Sequence, residues 1–213
     1  MAGELSRIQY QWLLSALFGA VFLGLAIAPA DRMIWLAENI LVLLLIALLV
    51  FYHRTFPLSK SSLTAVFLFL CLHELGAHFT YPAVPYSQWT AVWLPSDWTD
   101  SGQRNHYDRF AHFFYGLFLA FPLRQFSREL IKVDGFWAYG LPITFIMASS
   151  MFYEICEWLA AGLLGAGQGE AFLGAQGDSW DAQKDMALAT GGAVLAMMGA
   201  KLSKRWRHPA SGE

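Results

Sequence analysis

Residues 33–52 read MIWLAENILVLLLIALLVFY, a run of 20 residues that is almost entirely apolar. A helix needs about 20 predominantly apolar residues to cross the hydrocarbon core of a membrane, and this stretch has that length. Five other segments keep a helix-length apolar run. The predicted spans are 10–28, 33–52, 61–81, 108–123, 137–163 and 182–202. We therefore predict an all-α, polytopic membrane helix bundle of about six transmembrane helices, forming one integral membrane domain over residues 1–213.

The composition agrees with a membrane protein and excludes a soluble domain. Hydrophobic residues make up 56% of the 213 positions and charged residues 14%, and the mean hydropathy is +0.41. Soluble domains carry about 25% charged residues. Six spans and their loops use the whole length, which leaves no room for a separate soluble domain. The net charge of −2, without a basic patch outside the loops, predicts no nucleic-acid partner.

The distribution of Lys and Arg predicts the orientation. Of the 14 such residues, ten lie in the N-terminal segment, the second and fourth loops and the C-terminal segment, and four lie on the opposite side. Because cytoplasmic loops are enriched in Lys and Arg, both termini are expected in the cytoplasm of a bacterial cell, with the chain crossing the inner membrane several times.

The first segment has two interpretations. Ala26-Ile27-Ala28 has the small-x-small form of a signal-peptide cleavage site. Against cleavage, small residues recur at four-residue spacing, which is typical of close packing between membrane helices. This stripe consists of Ala16, Ala20, Gly24 and Ala28. We expect a retained helix that packs closely through the stripe.

Two loops on the predicted outer side are unusual. The loop at 82–107 contains Tyr86, Trp89, Trp93 and Trp98, and aromatic residues of this kind favour the headgroup level. It is expected to lie along the interface, either as a lid or as a plain anchor. The loop at 164–181 is rich in glycine and can fold back into a cavity only where protein satisfies its backbone.

The last four spans contain polar residues, although a charge buried in a membrane costs about 3 kcal/mol. These residues are His73, Glu74 and His78 in the third span, Asp108, Arg109 and His112 in the fourth, Glu154 and Glu157 in the fifth, and Asp178, Asp181 and Asp185 at the start of the sixth. The third and fifth spans run outward and carry them late, whereas the fourth and sixth run inward and carry them early. All four sets are therefore expected in one layer near the outer face.

The spacing predicts a metal site within this layer. Residues three or four apart share a helix face, and helix bundles build metal sites from inward-facing Glu and His residues. The expected ligands are Glu74, His78, His112, Asp181 and Asp185, with His73 as a further candidate. Carboxylates suit Mg or Mn and imidazole favours Zn, so the divalent ion is left open.

The remaining polar residues form the expected catalytic set. Glu154 or Asp108 would act as general base toward a water nucleophile, and Arg109 would hold a phosphate through its planar guanidinium. Glu157 and Asp178 complete the set, although Arg109 could instead pair with one of them. Asp108 and Asp181 could also simply interact with helix N-termini.

A zinc-protease motif is excluded. His78 follows His73 by five residues, which turns a helix by about 140°, so the two histidines do not share a face. Two non-enzymatic alternatives remain for the whole cluster. One is a membrane scaffold that the polar groups lock together, and the other is a small transporter or binding protein with a proton relay. The inner halves of the spans contain few polar residues, which disfavours the transporter.

Several motifs resemble the YjdF-type inner-membrane proteins. They are HELGAHFTY at 73–81, NHYDR at 105–109 with His112 and Phe113, YEICEW at 153–158 and GDSWDAQKDM at 177–186. The resemblance covers most of the chain and implies a multi-pass inner-membrane location without implying an activity.

A more distant similarity, over residues 107–201, is to VanZ-like membrane proteins. The matching positions are Asp108, His112, Glu154, Asp181, Asp185, Gly191 and Gly192, while Arg109 replaces a usual Lys and Trp158 stands near a usual Gln. This similarity implies a role in the cell envelope. We therefore expect a metal-assisted hydrolase or transferase whose partners are membrane lipid and a lipid-linked envelope substrate; the oligomeric state is not predicted.

Overall fold

The computed structural model describes residues 5–92, 104–164, 169 and 172–203. All regular structure within these ranges is helical, which confirms the predicted all-α class. The helices are α1 Arg7–Leu25, α2 Arg32–Tyr52, α3 Lys60–Phe79, α4 Tyr86–Thr90, α5 Tyr107–Glu129, α6 Trp137–Leu164 and α7 Asp181–Leu202, with a short 3₁₀ turn at Tyr81–Ala83. Each predicted span falls on one of the six long helices.

Three of these helices, α1, α2 and α3, are both long enough and apolar enough to cross a membrane. At about 1.5 Å per residue, their 19 to 21 residues measure close to the 30 Å of a hydrocarbon core. Helices α5, α6 and α7 contain 23, 28 and 22 residues, which is also spanning length. The three contain five of the acids predicted for the site, which explains why hydropathy alone identifies them less clearly.

The first three helices begin at side chains that accept hydrogen bonds from free backbone N–H groups. Ser6 and Gln9 form a reciprocal capping box before α1. Asp31 accepts from the second and third residues of α2, and Ser59 accepts from the third residue of α3. Such caps satisfy donors that the helix itself leaves unpaired, so these sequence positions determine where the helices start.

The most extensive helix pair is α5 with α7, and it is a contact between backbones. A Cβ atom added to Gly116 would lie 1.8 Å from the carbonyl oxygen of Ala189. One added to Gly192 would lie 2.1 Å from the carbonyl oxygen of Phe113. Small residues at a crossing allow this approach, as is common between membrane helices. Helix α5 also packs against α3 and α6 and is therefore the centre of the described bundle.

Helix α1 packs differently from our expectation. It contacts α3, where the Tyr10 hydroxyl lies 2.7 Å from Thr64 Oγ1, and its Phe22 ring packs on Trp35 of α2. The predicted small-residue stripe is exposed, and nothing lies within 4 Å of a Cβ built on Gly24. The affected residues are Ala16, Ala20, Gly24 and Ala28. The prediction of close packing through this stripe is wrong, because large side chains on the other face make the contacts.

The two unusual loops are only partly described. Trp93 and Trp98, on which the interfacial lid depends, lie outside the described residues. The described end of the glycine-rich loop pairs with the segment before α5, since Gln176 Oε1 accepts from the Asn105 N–H at 2.8 Å and Gln176 Nε2 donates to the Asn105 carbonyl at 3.0 Å. The Arg104 guanidinium also donates to the carbonyl of Ala175, so a protein group satisfies part of this loop's backbone, as a fold-back requires.

Candidate functional site

The ends of α3 and α6 and the starts of α5 and α7 lie together at one end of the bundle, which we call the polar end. Asp108, His112 and Asp185 form a compact group there, with one potential ligand atom from each within 4.8 Å of the other two. His112 Nε2 lies 3.6 Å from Asp108 Oδ1. Asp108 and His112 are one turn apart on α5, and Asp185 lies one turn after the start of α7. The crossing of α5 and α7 therefore brings the three side chains together.

Helix α6 adds acids beside this Asp-His-Asp group. Glu154 Oε1 lies 3.5 Å from His112 Nε2, and the ring of the preceding Tyr153 meets the His112 ring edge-on. Glu157, one turn further along, is also buried. The predicted layer of acids from separate helices therefore exists for α5, α6 and α7.

Helix α2 contributes an acid that our sequence analysis missed. Glu38 is buried, and its Oε2 accepts a hydrogen bond of 2.8 Å from the Tyr153 hydroxyl. Its backbone carbonyl lies 3.3 Å from His73 Nε2, while His73 Nδ1 is 2.6 Å from the Tyr81 hydroxyl. The available signal was a carboxylate inside the apolar run 33–52, because an acid within a span is costly and therefore informative.

His73 is held by two hydrogen bonds within the protein. The Tyr81 hydroxyl donates to Nδ1, and the Nε2–H group donates to the Glu38 carbonyl, which assigns one neutral tautomer. Both ring nitrogens are therefore engaged, and the imidazole connects α2 and α3. In this arrangement His73 supports the polar end and offers no free lone pair to an ion.

The structure does not bring Glu74 and His78 to the Asp-His-Asp group. They share one face of α3 as expected, but that face points to α1 and α2. His78 Nδ1 lies 2.7 Å from the carbonyl oxygen of Leu25. Glu74 is completely buried, and its carboxylate lies beside the side chains of Asn39 and Trp35 on α2. The prediction that Glu74 and His78 share a helix face is correct, whereas the prediction that this face meets the other site residues is wrong.

A layer of ion pairs closes the polar end. Arg104, which our sequence analysis also missed, pairs with Asp181 and donates to the Ala175 carbonyl. Arg109 pairs with Asp178 and lies 3.6 Å from Asp181 Oδ1. Asp178 and Asp181 are therefore engaged by guanidinium groups, and the expected alternative of an Arg109–Asp178 pair is confirmed.

The inner part of the cluster lacks such partners. Asp185 Oδ1, Glu154 Oε1 and His112 Nδ1 are buried without a hydrogen-bond partner in the part of the chain that is described. A buried carboxyl oxygen without a partner is costly, so a charge-compensating group, either a proton or a cation, is expected at this position. Ligand atoms that are each about 2.1 Å from one ion are at most about 4.2 Å apart. Three such atoms around one ion lie about 3 to 4 Å apart, so a shift of up to about 1 Å would let these residues hold a divalent cation.

Asp178 gives a pH-dependent prediction. Its hydrogen bonds from Lys184 at 2.5 Å and from the Trp180 N–H at 3.0 Å, together with Arg109, hold its pKa well below the usual range. A depressed pKa stabilises the fold above the unfolded value of about 3.9, and the benefit disappears as pH falls through the lower folded pKa. We expect Asp178→Asn to lower the melting temperature at pH 7, with the difference from wild type shrinking below about pH 4.

The matched control for this measurement is Asp134→Asn. Asp134 is mostly exposed and lies 3.6 Å from Arg128, so little change is expected at any pH. An equal loss of melting temperature in both variants at pH 7 would contradict the assigned role of the Asp178 contacts.

The described bundle is all helical, has three helices long and apolar enough to cross a membrane, and gathers its buried acids at one end, so the chain is an integral membrane protein. The chain belongs to the DUF2238 family of predicted membrane proteins, whose model matches residues 10–205. It is similar to the inner membrane protein YjdF of Escherichia coli (strain K12), with 34% identity over 178 residues, covering 81% of this chain and 79% of YjdF. No solved structure matches. Together with the apolar helices, these similarities identify a multi-pass inner-membrane protein, as predicted.

Proposed function

We propose that this protein is a membrane-embedded, divalent-cation-dependent hydrolase or transferase that acts on an envelope lipid or lipid-linked molecule. The observation that carries the proposal is the Asp-His-Asp group, in which three potential ligand atoms lie within 4.8 Å of one another. Asp185 Oδ1 and Glu154 Oε1 are buried there without partners among the described residues. The proposed ligands are Asp108, His112 and Asp185, with Glu154 directly beside them.

The proposal includes six spans, with both termini in the cytoplasm and the polar end at the outer leaflet. The lengths of α5, α6 and α7 support three spans beyond the apolar α1, α2 and α3. The excess of Lys and Arg on the side of the termini supports the orientation. In this arrangement, the site meets lipid at headgroup depth. The VanZ-like outline stays a prediction, and it agrees with a role in the cell envelope.

Each polar group then has a defined task. The cation, which the ligand types leave open between Zn, Mg and Mn, supplies positive charge to polarise a phosphoryl or carbonyl oxygen and to acidify water. Glu154, 3.5 Å from His112 Nε2, accepts the proton of the attacking water, with Glu157 one turn behind it. Arg109 holds a phosphate through its planar guanidinium after exchanging its partner Asp178.

Metal content of the purified protein tests the proposal. We expect about one divalent ion per chain in wild type and a loss of most of that ion in Asp185→Asn and His112→Gln, because each change removes one of about three ligands. Glu74→Gln should retain the ion, since Glu74 faces α2. Elemental analysis of monodisperse fractions from size-exclusion chromatography gives the stoichiometry and excludes misfolded protein. Wild type without a stoichiometric ion, or loss of the ion in Glu74→Gln but not in Asp185→Asn, would contradict the proposed site.

A non-catalytic scaffold is the second candidate, and the paired groups favour it. The contacts of Tyr81, His73, Glu38 and Tyr153 join α2, α3 and α6, and Arg104 joins the segment before α5 to α7. Such bonds hold helices together whether or not chemistry occurs. A scaffold predicts that Glu154→Gln reduces the amount of folded protein, whereas an enzyme predicts normal folding with lost function in cells.

A further inference from the structure

A cavity of about 270 Å³ lies beneath the polar end, between α2, α3, α5 and α6. We call it the upper cavity. Most of its wall is apolar and includes Leu41, Leu45 and Leu70. At the polar end it is lined by His73, Tyr81, His112 and Tyr153, so that an apolar space leads directly to the Asp-His-Asp group.

Two residues that line this cavity each have a buried polar atom without a partner among the described residues. One atom is the Oγ of Ser150, a residue only 1% exposed, and the other is Nδ1 of His112, which is 8% exposed. If His112 Nε2 holds a cation, Nδ1 carries the proton and needs an acceptor. Ser150 lies one turn from Glu154, so its hydroxyl donor is about 6 Å along the helix from that acid. Both atoms can therefore donate a hydrogen bond to an acceptor on a ligand that lies just below the headgroup position.

The cavity has a floor made by a hydrogen bond. The Tyr115 hydroxyl lies 2.6 Å from Ser149 Oγ, which joins α5 to α6. The same two residues also line a second space of about 1160 Å³, the lower groove, which extends along α1, α2, α3 and α5. The Tyr115–Ser149 pair therefore lies where the upper cavity adjoins a much larger apolar space.

We propose that the upper cavity binds one acyl chain of a glycerophospholipid, with its ester carbonyl accepting hydrogen bonds from Ser150 and His112. The volume suits part of one chain, because whole drug-sized ligands occupy about 300–1,000 Å³. The occupant is a lipid because the cavity lies between membrane helices, and an ester lipid because its ester carbonyl is the acceptor that lies just below the headgroup, at the depth of the free donors. The Tyr115–Ser149 pair limits how deep the chain reaches. This inference deepens the proposed function, on which it rests for the position of the headgroup and for the proton on His112 Nδ1.

Photolabelling in detergent tests the cavity, with a diazirine-bearing phosphatidylglycerol as the probe and mass spectrometry to locate the labelled peptides. Leu41→Trp, which fills the upper cavity, should lower labelling of α3 by about fivefold or more. Leu44→Trp is the matched control, since Leu44 is on the same helix, is 54% exposed and lines neither space. Equal labelling of the two variants would overturn the proposal.

Two further arms separate the possible outcomes. Labelling repeated in the presence of a chelator should persist, because the acyl chain binds without the ion. If wild type contains no metal but Leu41→Trp still lowers labelling, the proposed function is contradicted while the lipid site in the upper cavity is supported. An isoprenyl phosphate of similar length, which has no ester, should displace the probe less well than unlabelled phosphatidylglycerol. Better displacement by the isoprenyl phosphate would overturn the assignment of an ester lipid.

The floor gives a separate readout. With a diazirine at the end of a long chain, Tyr115→Ala should move labelling from upper-cavity residues to residues of the lower groove such as Leu63 and Phe126. Tyr115→Phe keeps the aromatic ring and should shift the labelling less. An unchanged labelling pattern in Tyr115→Ala would contradict the role of the floor.

Discussion

Gly192→Ala is expected to destabilise the protein by about 1–3 kcal/mol or more, because overpacking a tight contact forces the surrounding backbone to move. The added Cβ would lie 2.1 Å from the carbonyl oxygen of Phe113, and the neighbouring atom is backbone that cannot rotate away. Helices α5 and α7 must therefore separate. Since Asp185 is seven residues before Gly192 and His112 is four before Gly116, the separation also opens the Asp-His-Asp group.

The neighbouring Gly191 provides the matched control. Gly191 is exposed, and nothing lies within 4 Å of a Cβ built on it. Gly191→Ala should be neutral or stabilising by up to about 1 kcal/mol, because alanine is the better helix former. Thermal unfolding of the two variants in the same detergent compares them directly, and metal content reports on the site. Equal stability of the two variants would mean that α5 and α7 do not cross in contact at Gly192.

Arg104→Leu is expected to cost about 3–5 kcal/mol, the range measured when one partner of a buried ion pair is removed. Arg104 and Asp181 each have side chains only 9% exposed, and Asp181 lies close to Asp108 and Asp185. Without the Arg104 guanidinium, Asp181 keeps only the more distant Arg109, 3.6 Å from its Oδ1, as a positive partner among other acids. A bound divalent ion supplies part of the missing charge, so the loss should be larger in the metal-free protein.

Two variants make the Arg104 experiment decisive. Arg128→Leu removes an arginine from a more exposed pair with Asp134 and should cost at most about 1 kcal/mol. The double variant Arg104→Leu/Asp181→Leu removes both buried charges and should recover most of the stability that Arg104→Leu loses. Thermal unfolding, with and without a chelator, gives the stability of wild type, the two single variants and the double variant. No recovery in the double variant would show that Arg104 acts through its bond to Ala175 rather than through Asp181.

The polar residues of α3 show which features of the site could be predicted from the sequence and which could not. Hydropathy placed Glu74 inside a span, and the four-residue spacing placed His78 on the same face. Which neighbour that face meets depends on the rotation of α3 about its axis, and this rotation is set by packing against α1, α2 and α5. In the structure the face meets Leu25 and α2, and the third span contributes His73 to the polar end instead.

Residues from outside the predicted cluster complete the site for the same reason. Glu38 was hidden in the most apolar run of the chain, and Arg104 was counted as a loop charge. Their partners, Tyr153 and Asp181, are 115 and 77 positions away in the chain. No periodicity connects positions so far apart, so only the packed helices show that these charges belong together.

The amino-acid sequence by itself determined the membrane class, the positions of the helices and the position of the polar residues along each helix. These properties are local, because hydropathy and a rise of about 1.5 Å per residue act along one helix at a time. The tertiary structure alone decided which polar residues face one another. That outcome depends on backbone contact at Gly116 and Gly192, which sets the distance and rotation of α5 against α7 and so brings Asp108, His112 and Asp185 into one group.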